Sequence, residues 1–83
     1  MSEEMIGQVT HYYTRLGVAA VELTGELKLG DAIRILGHTT DFEQTVHSMQ
    51  LEHENIAVGK AGQLIGLEVA EQARAGDKVY KLT

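Results

Sequence analysis

Groups capable of chemistry gather in one short segment, His38-Thr39-Thr40-Asp41, which places an imidazole, two hydroxyls and a carboxylate within four positions. An imidazole oriented by a carboxylate can act as a general base, and a hydroxyl is a group it can activate. A hydrolytic site also needs an oxyanion hole and fixed geometry among its members, and nothing in the pattern marks Thr39 or Thr40 as a nucleophile. The plainer reading is a loop in which carboxylate and hydroxyl cap neighbouring amides. Such a loop serves binding more readily than catalysis. His38, Thr39 and Asp41 are therefore assigned to a binding surface. No catalytic residue is assigned, and no enzymatic activity is expected.

The four histidines are His11, His38, His47 and His53, and the chain has no cysteine. Thiolate zinc sites and disulfides are thereby excluded, and a zinc site usually needs three or more converging ligands. His47 and His53, six positions apart, would sit about 20 Å apart along a straight strand and could not share an ion. They read as surface or loop histidines, so neither a metal nor another cofactor is expected. Among the aromatics, Tyr12, Tyr13 and Phe42 stand out. An aromatic ring on a sheet face can stack on a nucleobase. Tyr12 is accordingly a binding candidate, with inward packing of one tyrosine as the alternative. Phe42 shares its parity with Val46 and is expected in the core. Arg34 completes the binding set, because a nucleic-acid reading requires a local cluster of cations, here Arg15, Arg34 and Lys78.

The charge balance weakens that last reading. Over 83 residues there are 7 basic and 12 acidic side chains, a net charge of −5. The cations are scattered, so a purely electrostatic nucleic-acid binder is not expected. At 43% hydrophobic and 23% charged, the chain has the composition of a folded domain and not of a disordered tail. Its length predicts one domain over 1–83. The segment from Met1 to Gln8 carries Glu3 and Glu4 with no apolar run, unlike a signal peptide. No stretch has the ~20 apolar residues of a membrane helix. With no cysteines as staples, the expected compartment is the cytoplasm.

The elements that must carry these residues read as strands. Nine glycines and no proline punctuate short β-branched or alternating segments, the rhythm of an all-β domain with tight turns. Strands are predicted at about 5–13, 18–23, 32–36, 42–53, 64–69 and 78–82. Thr14 to Gly17 should close a hairpin, with Gly17 free to take positive φ. In 25–31 the leucines should tuck beneath the sheet. In 42–53 the apolar parity changes between Phe42/Val46 and Met49/Leu51, which predicts a bulge near His47 and Ser48. The segment 54–63 reads as a connection, and 71–75 as a helical turn or a loop. Two Gly-Asp pairs, Gly30-Asp31 and Gly76-Asp77, follow similar apolar–basic–apolar lead-ins and precede strands. They predict one turn chemistry used twice.

The order Gly7-Gln8-Val9, Val21-Glu22-Leu23, Gly25 to Ile35, Val46 to Gln50, Ala61 to Leu67 and Ala75 to Val79 resembles the second, β-barrel domain of translational GTPases such as elongation factor Tu. The stretch from Gly37 to Gln44 is similar to small free-standing proteins described as translation elongation factor-like. Related barrels also end collagenase-like peptidases. The resemblance spans Ile6 to Tyr80 and implies a small closed six-stranded β-barrel, standing alone without its usual GTPase domain. It implies a non-enzymatic interaction module that docks on a protein or ribonucleoprotein partner. The alternative it implies is an RNA- or tRNA-binding barrel. Two positions depart from the translation factors: Gln63, where an acidic residue is usual, and Leu64, where a polar one is common. There is no GxxxxGK[ST] phosphate loop, so no GTP binding is expected.

Overall fold

The computed structural model describes residues 3–82. β1 (Glu3–Tyr13) and β2 (Val18–Leu23) form the first hairpin. The amides of Leu16 and Gly17 donate to the Tyr13 carbonyl at 3.2 and 3.0 Å, closing its loop. β3 (Leu27–Lys28), β4 (Ala32–Leu36), β5 (Asp41–Thr45), β6 (Met49–Leu51), β7 (Glu54–Ile56), β8 (Val58–Gly59), β9 (Leu64–Glu68) and β10 (Lys78–Leu82) follow. The described residues contain no helix. Eight strands form one antiparallel sheet in the order β5-β4-β10-β1-β2-β9-β6-β7, and β3 pairs with β8.

Alternation sets the core. Val21 and Leu23 of β2, Ile33 and Ile35 of β4, Ile65 and Leu67 of β9 and Val79 of β10 are all buried, while their neighbours face outward. β1 departs from strict alternation. Its inward positions are Ile6, Val9 and, half-buried, Tyr12. The spacing of three follows from two register irregularities, between Met5 and Gly7 and between Val9 and His11. Each inserts one residue and resets the inward parity.

The expected closed six-stranded barrel is corrected: among the described residues the sheets are open. The physical reason lies in 42–53. The parity change foreseen there is a break between two strands and not a bulge within one. Val46 leaves the ladder. Its N–H donates to the Asp31 carbonyl and its carbonyl accepts from the Gly30 N–H, both at 2.9 Å. After that detour the chain changes partners, since β5 pairs with β4 whereas β6 pairs with β9 and β7. β5 is left as an edge. A side chain then bridges from this edge to the end of β9. Gln44 Nε2 donates to the Glu68 carbonyl at 2.9 Å, and Gln44 Oε1 accepts from the Ala70 N–H at 2.6 Å. A carboxamide offers the same donor and acceptor as a peptide group, so one side chain does at this seam what a ladder would do in a closed barrel. Gln44→Ala should cost about 1–2 kcal/mol and should speed hydrogen exchange at the Ala70 amide, read by NMR.

Two smaller expectations change as well. Leu27 is fully buried but Leu29 is 45% exposed, because β3 ends at Lys28 and Leu29 lies in the turn that follows. The connection 54–63 contains β7 and β8.

The Gly-Asp turns occur not twice but in three related versions. The amides of Asp31, Gln63 and Asp77 donate to the carbonyls of Lys28, Lys60 and Arg74 at 3.0–3.1 Å. Gly30, Gly62 and Gly76 sit between at φ of 91°, 91° and 97°, the third position of a type II turn. In return the side-chain oxygens of Asp31, Gln63 and Asp77 accept from the amides of Lys28, Lys60 and Arg74 at 2.9, 2.8 and 2.8 Å. Gln63 thus supplies the acceptor that the two aspartates supply elsewhere. Each turn launches a five-residue strand, β4, β9 or β10.

Candidate functional site

The residues singled out from the sequence divide between separate places. Arg34 of β4 and Asp41 of β5 meet in a two-pronged ion pair, Nε to Oδ1 at 2.8 Å and the second guanidinium nitrogen to Oδ2 at 2.9 Å. Glu3 of β1 accepts from the remaining nitrogen at 3.3 Å. His38 and Thr39 are exposed between β4 and β5. The Gly37 amide closes that loop on the Thr40 carbonyl at 2.7 Å. Both Asp41 oxygens are directed to Arg34, so Asp41 is committed away from the imidazole. Tyr12 is half-buried and packs against the core from β1. The structure joins Arg34 to Asp41, sets His38 and Thr39 in the adjoining loop, and leaves Tyr12 apart.

The three cations of the nucleic-acid reading are also not gathered. Arg34 is neutralised by two carboxylates. Lys78 donates to Gln8 Oε1 at 2.9 Å. Arg15 lies past Tyr13 in the first hairpin, seven positions from Gln8, or roughly 20 Å along a strand. Among the described residues, no three His, Asp or Glu converge as metal ligands.

The hydrogen bonds from Arg34 hold the Asp41 carboxyl below its ordinary value of 3.8, against a smaller desolvation effect and with the guanidinium charge assisting. A depressed folded value means that the pair contributes stability above the unfolded aspartate range. That contribution is lost as pH falls through the folded value. Arg34→Met should therefore flatten the acid limb of the stability profile, read as urea midpoints from neutral pH downward. The pair is exposed, so the effect should be modest and should shrink with salt.

A different feature has the form of a binding site. On the outer face of β2 and β9 lies a shallow groove of about 370 Å³. Ala20 and Gly66, paired across the two strands, leave its floor without bulk. Tyr13, Leu16 and Leu64 line it while remaining 47%, 71% and 56% exposed, so three large apolar side chains surround one depression. The His11 ring meets Tyr13 edge-on, with centroids 4.4 Å apart. Gln50, Glu52 and His53 supply the polar rim. Glu52 and His53 form the β6–β7 turn and both take positive φ, 52° and 67°. Two such residues between paired strands make a type I′ turn, for which Asn-Gly is the usual choice. Backbone conformations of this kind are costly for other residues and recur at functional positions.

Sequence reasoning missed this groove. Its available signal was Leu64, an apolar residue at the outward parity of a strand whose inward set is Ile65 and Leu67.

Over 78 residues the chain is 41% identical to an uncharacterized protease of Methanocaldococcus jannaschii, covering 93% of this chain and 19% of that protein. It is 38% identical over 78 residues to a collagenase of Porphyromonas gingivalis, covering 92% of this chain and 22% of that protein. The chain is similar to one part of these proteases. It spans about a fifth of the length of these curated relatives. Two crystal structures of the C-terminal domain of a putative U32 peptidase from Geobacillus thermoleovorans share the fold. Their TM-scores are 0.90 and 0.87, with 96% and 92% of this chain and 93% and 96% of theirs covered, at 19% identity. No protein-family model matches the chain. The collagenase-like side of the expected resemblance is supported. The elongation-factor side, and with it a role in translation, gains no support from these relatives. No helix among the described residues is long and apolar enough to cross a membrane.

Proposed function

We propose that this chain is a non-catalytic interaction module of the kind found as a C-terminal domain in peptidases, and that its working surface is the groove on β2 and β9. The observation that carries the reading is the protease similarity, which spans 93% of this chain but only 19% of the relative. Such a proportion fits an accessory part whose catalytic machinery lies in the other four-fifths. The chemistry of the chain agrees. The one imidazole–hydroxyl–carboxylate segment has its carboxylate committed to Arg34, and the groove is lined by apolar residues with a polar rim. In this reading the partner is a protein and the groove positions it. Arg34 with Asp41, and the His38–Thr39 loop beside them, form a second exposed surface. The cysteine-free composition supports a cytoplasmic setting.

The test is an assay of the purified chain against gelatin and a mixed fluorogenic peptide library. The expected result is no cleavage at stoichiometric protein. Cleavage that co-purifies with the chain and disappears in His38→Ala would overturn the reading in favour of an enzyme built on the 38–41 loop.

A further inference from the structure

The charges around the groove narrow its occupant. Glu22 pairs with Leu64 and Glu68 pairs with Val18. Both carboxylates therefore lie on the outer face that carries Ala20 and Gly66, at opposite ends of the groove floor. Glu52 stands on its rim. Among the described residues, none of the three takes part in an ion pair within 4.0 Å. By contrast, the carboxylates of the opposite part of the sheet, Glu3 and Asp41, are bound to Arg34. Arg15, beside Leu16, is the cation of the first hairpin. The groove thus combines a bare small-residue floor, three apolar walls and three uncompensated carboxylates.

We propose that this groove receives an extended peptide segment that alternates lysine or arginine with apolar side chains. This deepens the module reading and rests on it. Each structural feature has a counterpart in such a ligand. The floor between Ala20 and Gly66 lets a backbone approach the sheet closely. Leu16, Leu64 and Val18 cover the apolar side chains, whose burial supplies the non-directional part of the attraction. Glu22, Glu52 and Glu68 receive the cations. Charge of one sign around a low-dielectric depression also steers an oppositely charged ligand towards it. The face of Tyr13 is a further cation site, since ammonium and guanidinium groups are drawn to aromatic rings. An acidic peptide would meet the same three carboxylates as repulsion, which makes the site selective as well as attractive.

The test uses three fluorescent peptides of equal length, alternating Lys-Leu, Lys-Ser and Glu-Leu, titrated with the chain while anisotropy is followed. The Lys-Leu peptide should bind at least about tenfold more tightly than either control, and its affinity should fall with added salt. Equal binding of Lys-Ser would reduce the effect to charge alone. Equal binding of Glu-Leu would reduce it to apolar adhesion. Absence of binding, like either of those results, would overturn the proposal.

Two substitutions localise the effect. At Gly66 an added Cβ would meet Val18 Cγ1 at 3.4 Å and the Gln50 carbonyl at 3.9 Å, contacts the sheet tolerates. Gly66→Val should therefore keep the fold and fill the groove, weakening binding about tenfold. Leu64→Ser, at an exposed position, gives the same reading should the valine disturb folding. Unchanged affinity in a folded variant of either kind would place the peptide elsewhere and overturn the proposal. Mass spectrometry of the recovered peptide separates this proposal from the broader reading. A cleaved peptide removes the non-catalytic module. An intact but unbound peptide removes only the groove's assigned ligand.

Discussion

Replacing Gly37 with alanine should destabilise the protein by about 3 kcal/mol, at the upper end of what overpacking ordinarily costs. Gly37 follows β4, and Asp77 lies directly against it. A Cβ at residue 37 would fall 2.6 Å from Asp77 Cγ and inside the radius of Oδ1. Asp77 is not free to retreat. It is 4% exposed, its Oδ2 accepts from the Arg74 amide, and its own carbonyl accepts from Val9 at 2.8 Å. Gly76 donates in turn to the Val9 carbonyl at 2.7 Å. Moving the carboxylate therefore dismantles the third type II turn and the start of β10, whose neighbours are β4 and β1. For a domain of this size the melting temperature should drop by roughly 15 °C. Gly62→Ala provides the contrast. A Cβ there meets nothing within 4 Å, so only the positive φ is penalised, at about 1 kcal/mol. Equal melting temperatures for the two variants would mean that Asp77 yields, and that the clash does not explain the glycine.

The second large effect has two signs in one variant. Glu52→Asn with His53→Gly replaces two residues of positive φ by the pair that a type I′ turn prefers. Stability should rise by about 1 kcal/mol, because the native conformation loses its backbone penalty. The same change removes a carboxylate and an imidazole from the groove rim, and affinity for the Lys-Leu peptide should fall roughly tenfold. A gain in stability joined to a loss of binding is the mark of residues retained for function. Thermal unfolding and anisotropy measured on one preparation check both halves. A variant that becomes more stable and binds as tightly as before would leave Glu52 and His53 without a functional role.

The legible part of the fold was the part governed by local periodicity. Val21 and Leu23, Ile33 and Ile35, and Ile65 and Leu67 alternate regularly, and the structure buries each pair. The two Gly-Asp turns were readable because glycine and aspartate there act on their own neighbours. Its third copy was hidden by Gln63, which makes the same hydrogen bond from a longer, neutral side chain. Non-local choices were not legible. The Met49 and Phe42 parities conflict as one strand and agree as two, but only tertiary pairing decides that β6 joins β9 and not β4. The bridge across the open seam likewise rests on Gln44, a polar residue with no distinguishing local signal.

The candidate site was less legible for a related reason. Chemical residue types drew attention to His38, Thr39 and Asp41, whereas the groove is made of Ala20, Gly66, Leu16 and Leu64. Such residues carry no reactive group, and their meaning comes from sharing an outer face. The structure joins Arg34 and Asp41 to each other in an ion pair.

A ¹⁵N NMR titration of the chain with the Lys-Leu peptide, with mass spectrometry of the peptide from the same tube, decides between the groove and the 38–41 loop. The account predicts saturable shifts centred on Tyr13, Ala20, Gln50 and Gly66, little change at Arg34 and Asp41, and a peptide recovered whole. A cleaved peptide, or shifts centred on the 38–41 loop with the groove silent, would contradict it.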